Sequence, residues 1–345
     1  MKFFITLLGF ITFSVPVFAH HAVSTHFDRN DVVEIIGVLT EVKWQNPHVQ
    51  LTVTMLDEDG REIMWLIDGT SAINQGRQGI TEDSYRVGEN IRVAGFRGRR
   101  NRTAIFASNT LLADGREFIT RQSSGPRWSQ NLVGSLQSYQ ALKIARASVT
   151  LNSIFRVWSR DDAGPEDGGP TRPLWKDDYP LTDRAQITQA NWDRIADNPY
   201  LHCRNGMPAI MDSPHPMEIV LDGGDVLIRL EELDVVRRVH MGVSPTGEAA
   251  NPYGNSVGHW EGETLVVTTT DINWPWFDQA GIPQSEELRL VERFVVSEDD
   301  RYLNYSAVAT DSTIFTRPAV LGKRWMWVPG EEIQPYGCIW ERDDL

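Results

Sequence analysis

The feature that most constrains this chain is a repeated punctuation: short segments of alternating apolar and polar residues, cut by tight turns rich in acids and glycine. Val49-Gln50-Leu51-Thr52-Val53-Thr54-Met55 alternates with the period of two that marks a strand with one buried face. Asp57-Glu58-Asp59-Gly60 then supplies turn chemistry, and Glu62-Ile63-Met64-Trp65-Leu66-Ile67 is the return strand. The β-branched stretch Val32–Val42 precedes this hairpin. A short polar helix or loop at Ser71–Asp83 and strands near Asn90–Phe96 and Thr103–Leu112 follow it. Five short strands with one helical interruption predict a small OB-like Greek-key barrel.

The pattern returns at Met217. Met217–Leu221, Asp225–Glu231, Val235–Met241, Ser256–Trp260, Thr264–Asp271, Glu287–Val296, Tyr302–Thr310, Lys323–Val328 and Tyr336–Glu341 all read as strands. Eight or nine antiparallel strands in succession predict an up-and-down, lipocalin-like barrel, since closure removes exposed edges and can enclose a ligand. A two-sheet sandwich is the alternative. Between the two β regions, Gln130–Arg146 and Thr182–Ile195 read as helices, the second with Thr182 or Asp183 as N-cap. Asp161–Pro170 is acidic and rich in glycine and proline, a flexible connector. The expected fold is therefore mainly β: an OB-like barrel over residues 20–120, a helical and flexible connector over 121–200, and a larger antiparallel β-barrel over 201–345.

Lys2, the apolar run Phe3–Val15 and Val17-Phe18-Ala19 have the order of a secretory signal peptide, residues 1–19. The run is shorter than the ~20 apolar residues of a membrane span, so no transmembrane anchor is expected after processing. The compartment expected is the periplasm or the exterior. There, the only two cysteines of the chain, Cys203 and Cys338, are expected to form a disulfide. A formal net charge of −14 excludes a nucleic-acid surface, which needs a basic footprint. The local run Arg97-Gly98-Arg99-Arg100-Asn101-Arg102 reads as a solvated hairpin tip. Walker loop, GxGxxG, HExxH and paired CxxC patterns are absent, which argues against nucleotide-dependent chemistry and the commonest hydrolase designs.

Cleavage after Ala19 would expose His20-His21-Ala22-Val23-Ser24-Thr25-His26. The amine and ring of His20 can chelate together, the amine having an intrinsic pKa of about 8. A third nitrogen from His21, His26 or His48 would complete a nitrogen-rich site suited to copper. The competing reading is a set of exposed terminal histidines without fixed geometry. Trp44-Gln45-Asn46-Pro47-His48 joins the first two strands, and Asn-Pro is turn chemistry.

The second barrel offers a small-molecule site. Arg237 and Glu292 each interrupt an apolar strand, and a charge in such a place is paired or functional, because burying it alone is costly. If both point inward, they pair with each other. His240 and His259 add titratable groups, and Trp274 and Trp276 form an aromatic loop beyond a strand.

The segments His20-His21-Ala22, Gly37 to His48 and Asp114-Gly115-Arg116 resemble an exported bacterial domain family of unknown function, whose members read A-H-H near the start and W-x-N-P-H after the first strand. Val235–Met241, Gly258-His259-Trp260-Glu261-Gly262, Ile272-Asn273-Trp274-Pro275 and Trp325–Cys338 look like an uncharacterised β-rich block that often accompanies it. The resemblance implies export and an OB-type barrel, and carries no activity and no functional residue. The function expected is binding of a small apolar or amphipathic ligand in the C-terminal barrel. The alternatives are a copper-binding protein using His20 and a cofactor-independent enzyme with a His/carboxylate pair inside the barrel.

Overall fold

The five strands of the first unit are β1 (Phe27–Lys43), β2 (Gln50–Leu56), β3 (Glu62–Asp68), β4 (Asn90–Gly98) and β5 (Ala104–Leu111). A computed structural model describes residues 26–120, 124–133, 153–160, 179–193, 196–243 and 249–339. The predicted signal peptide, His20, His21, the Asp161–Pro170 connector and most of the predicted Gln130–Arg146 helix lie outside the described residues.

β1 is long enough to serve two neighbours. It pairs antiparallel with β4 along its first part and with β2 along its last part, with register breaks between Asp28 and Val32 and between Leu39 and Glu41. Bulges of this kind bend a strand, and bending lets one strand turn a barrel corner. Parallel pairing of β3 with β5, Leu66 opposite Ala104, closes the ring. Alternate residues then fill the interior, among them Ile35, Leu39, Leu51, Val53, Ile67, Val93 and Ile105. Gly95 marks the tightest crossing, because a Cβ there would come within 2.1 Å of the Phe106 carbonyl oxygen. Helix α1 (Ala72–Arg77) covers one end, started by the Ser71 hydroxyl accepting from the Asn74 N–H at 3.2 Å. β6 (Glu117–Ile119) and β7 (Leu132–Val133) extend the sheet beyond β5. The arginine run lies at the β4–β5 turn, where Arg97 and Arg102 face Asp31 at 3.4 and 2.6 Å and Arg99 faces Asp28 at 3.5 Å.

The second unit is a closed barrel of nine strands. They are β8 (Val157–Arg160), β9 (Met217–Asp222), β10 (Asp225–Leu230), β11 (Val235–Met241), β12 (Asn255–Glu261), β13 (Thr264–Thr270), β14 (Arg289–Val296), β15 (Tyr302–Thr310) and β16 (Ala319–Trp327). Every neighbouring pair is antiparallel except β11 and β12, which run parallel with Val239 opposite Ser256. Two details differ from the sequence reading. The strand expected at Tyr336–Glu341 is not formed over its described part. Pro335 has no N–H to give, Gly337 sits at φ 52°, and the N–H groups of Tyr336 and Gly337 go to the Asp234 carboxylate. The ring is instead completed by β8, four residues from within the predicted connector, between β9 and β16.

The two ends of this barrel are built differently. At one end, the hairpin end, tight turns join β9 to β10, β12 to β13 and β14 to β15. The other end is stoppered by the segment from Leu201 to Met211, with Met207, Ile210 and Met211 buried, and by the loop carrying Trp274, Phe277 and Ile282. Helix α2 (Asp183–Ala190), capped by the Thr182 hydroxyl, lies before that stopper in sequence.

The stoppered end is also where the two units meet. Arg77 of α1 reaches Glu231 through two hydrogen bonds of 2.8 and 2.5 Å and Glu331 through one of 2.6 Å. Asn46, from the W-x-N-P-H segment, donates to the Tyr336 carbonyl at 2.6 Å, while its own carbonyl accepts from the Ile339 N–H at 2.9 Å. The strap carrying Tyr336 is fastened by the Cys203–Cys338 disulfide. No described helix is long and apolar enough to cross a membrane.

Candidate ligand-binding site

Strand parity decides which predicted side chains face the lumen. On β11 the inward residues are Val235, Arg237 and Val239; on β14 they are Leu290, Glu292 and Phe294. Arg237 and Glu292 do meet, through Nη2–Oε2 and Nη1–Oε1 contacts of 2.7 and 3.1 Å. The Tyr305 hydroxyl donates to Glu292 Oε1 at 3.1 Å and the Thr269 hydroxyl to Oε2 at 2.9 Å. Burial works against the Arg237 charge, but the adjoining carboxylate outweighs it and raises the guanidinium pKa. Burial pushes the Tyr305 hydroxyl well above the ordinary tyrosine range. Both carboxylate oxygens are thus engaged within the protein. Trp158, Trp325, Phe294 and Tyr305, all fully buried, fill the lumen beside this pair. The middle of the barrel is a braced, packed layer.

Ser256 belongs to that layer. Gly254-Asn255-Ser256-Val257-Gly258 spells G-x-S-x-G, the pattern of a hydrolase nucleophile elbow. Here Ser256 lies within strand β12, and its hydroxyl hydrogen-bonds with Thr269 at 2.9 Å. An elbow would place the serine on an exposed strand-to-helix turn, and this serine is buried.

The remaining predicted residues are not brought together. His240 and His259 have outward parity and face Asp225 and Glu261, each at 3.2 Å, on the barrel's outer surface. Trp274 is buried at the stoppered end against Gly206, where a Cβ would meet the indole at 2.3 Å, and Trp276 packs near Trp192. His48 donates from Nδ1 to the Gly69 carbonyl at 2.8 Å and meets Phe106 edge-on. His26 adjoins Phe27, which packs on the same Phe106. Among the described residues, no group of three or more His, Cys, Asp or Glu side chains is placed to hold a metal. A cavity in the small barrel, lined by Val49, Gln75 and Tyr85 among others, has a volume of about 10 Å³, the room of one water.

The hairpin end presents a different surface. Inward parity there belongs to Leu221, Trp260, Val296 and Trp327, each the inward residue nearest the mouth on its strand. Leu221 is 61% exposed and Trp260 40% exposed. Phe155, just ahead of β8, meets Trp260 of β12 edge to face with ring centres 6.1 Å apart. β8 and β12 are separated by four strands one way around the ring and three the other, so these two rings meet across the mouth. Arg156 follows Phe155 in the chain, its guanidinium 4.4 Å from the Trp158 ring and 4.7 Å from the Trp327 ring. Burial lowers its pKa, and Asp300, 3.7 Å away, opposes that shift. The sequence reading passed over Phe155 and Arg156, whose segment carries too few alternations to register as a strand.

A second group that sequence reasoning missed gathers where the two units meet. In the sequence Glu231 ends the predicted strand Asp225–Glu231 and Glu232-Leu233-Asp234 is only the turn after it, yet Leu233 and Asp234 take left-handed φ values of 60° and 52°. That backbone turns Glu231 toward Arg77 and His215, and Asp234 toward the strap. Burial pushes the Glu232 carboxyl up, against the pull of His215, Ser213 and Lys323.

Residues 9–106 match the family of unknown function DUF6152. The DUF6152 match ends inside β5, so it takes in β1 to β4 and the W-x-N-P-H segment and leaves the nine-stranded barrel outside it. Asn46 therefore lies within the DUF6152 match, and its partners on the strap lie beyond it. No curated protein matches the chain.

Proposed function

We propose that this is an exported protein, periplasmic or secreted, that binds a small apolar or amphipathic molecule at the hairpin end of its nine-stranded barrel. The observation that carries this reading is the Phe155–Trp260 contact across a mouth rimmed by inward-facing apolar side chains. The opposite end is filled by its own chain, and the Arg237–Glu292 layer forms a floor. A molecule lodged above that floor would remove Leu221, Trp260 and Phe155 from water. Apolar burial of that kind is favourable by about 25 cal/mol per Å². The disulfide between Cys203 and Cys338 agrees with an oxidising compartment.

The neutral fluorophore N-phenyl-1-naphthylamine tests this directly. Its emission is expected to rise on titration with the protein, and Trp260→Ser is expected to weaken binding at least tenfold with the near-UV circular dichroism otherwise retained. No enhancement, or equal affinity in the two forms, would remove the mouth as the site.

A further inference from the structure

Building on that reading, we infer that the bound molecule is a monoanionic amphiphile, a carboxylate on an apolar body, and that Arg156 receives its head group. Arg156 is the last residue before β8, and its carbonyl accepts from the Ile219 N–H at 3.1 Å, which fixes its backbone to the barrel. Its side chain is only 5% exposed. Nε, Nη1 and Nη2 are all buried, and none has a hydrogen-bond partner. Arg237, equally withdrawn from water, holds its carboxylate through two hydrogen bonds. Arg77 does the same with Glu231. The fold thus provides a bidentate acceptor for each of these guanidiniums and leaves the planar fork of Arg156 unfilled.

The surroundings narrow the chemistry of what would fill it. The guanidinium carbon lies 4.4 and 4.7 Å from the centres of the two indoles, and its N–H donors have no acceptor. A carboxylate matches that planar fork with two parallel N–H···O bonds. Asp300 Oδ1, at 3.7 Å, is too distant to be the hydrogen-bond acceptor but close enough to repel a second negative charge. That favours a single charge over a phosphate dianion. Asp300 holds its position through a left-handed turn, φ 58°, at the end of the β14–β15 hairpin. The apolar body of the ligand would rest on Phe155, Trp260 and Trp327 at the mouth.

The probe pair is 11-(dansylamino)undecanoic acid and its methyl ester, which differ only in the charge of the head. The acid is expected to bind at least tenfold more tightly than the ester. Arg156→Met should abolish that preference while leaving ester affinity within about twofold, and Arg156→Lys should restore only part of it. Asp300→Asn, which leaves Arg156 and its indoles in place, should tighten the acid severalfold and leave the ester unchanged. Equal affinity for acid and ester would overturn the anionic head group while the mouth remains a binding site. A preference that survives in Arg156→Met, or an unchanged acid affinity in Asp300→Asn, would overturn the role of Arg156. Binding of neither probe would overturn both this inference and the ligand-binding reading.

Discussion

Arg77, Arg156 and Arg237 are all largely withdrawn from water, and the fold gives two of them a bidentate carboxylate and leaves Arg156 without a hydrogen-bond acceptor. Arg237 stands in an apolar strand directly facing an equally isolated glutamate, and its guanidinium and the Glu292 carboxylate fill each other's hydrogen-bonding positions. Such a pair contributes little relative to apolar residues of the same volume, but breaking it strands a charge. Arg237→Met or Glu292→Gln alone should therefore lower stability by ~3–5 kcal/mol, whereas Arg237→Met with Glu292→Leu should recover most of that loss. Urea unfolding of the two single variants and the double variant measures it. Single variants within ~1 kcal/mol of the parent would show that the layer does not depend on this pair. The pair was legible in the sequence because a charge amid apolar strand residues needs a partner. Arg156 was not legible, since what distinguishes it is a missing hydrogen-bond acceptor, and a missing acceptor has no sequence signal.

Among the elements, the extended strap from Glu331 to Ile339 stands out, because it replaces a strand with a fastening. Its Glu331 side chain and Tyr336 carbonyl are held by α1 and by the W-x-N-P-H loop of the first barrel, and its Cys338 is bonded to Cys203. The charge at the centre of this contact is Glu231. Burial alone would raise its pKa, but hydrogen bonds from Arg77 and His215 outweigh burial and hold it below the usual carboxylate range. A depressed folded-state pKa contributes stability that is complete above the unfolded value, near 4.3, and is lost as pH falls through the lower folded value. Thermal stability of the protein is thus expected to fall from about pH 5 downward, and Glu231→Gln should be less stable at pH 7 with a shallower acid dependence. Parallel acid limbs in the two proteins would place the titration elsewhere. Most strands were legible from their period of two, often to within a few residues. Two features were not: β8, too short to show a period, and the parallel β11–β12 pairing, which depends on a crossover rather than on either strand's residues. The W-x-N-P-H loop was legible as a turn, but its role in joining the two units depends on a strap nearly three hundred residues away, with 290 separating Asn46 from Tyr336.

At the scale of the whole molecule, a mainly β chain folds into two closed rings joined at one end, and the candidate mouth lies at the other end of the larger ring. The ring count was legible because the punctuation of turns in the sequence is so regular. The location of the mouth was not, because it depends on which end the chain itself fills, and that is settled by the Met207–Met211 segment folding into the barrel. The disulfide also gives the molecule a mechanical character. Cys203 and Cys338 are 135 residues apart, and β9 to β16 all lie between them, while β8 lies outside. Tension applied at the two chain ends therefore bypasses eight of the nine strands and reaches the ring only through β8. Pulled in an optical trap, the oxidised protein should release the first barrel and β8 and then stop. Addition of a reductant should free roughly 450 Å more of extended chain. A full-length extension without reductant would contradict this. In force terms the larger barrel is a closed loop with one detachable stave.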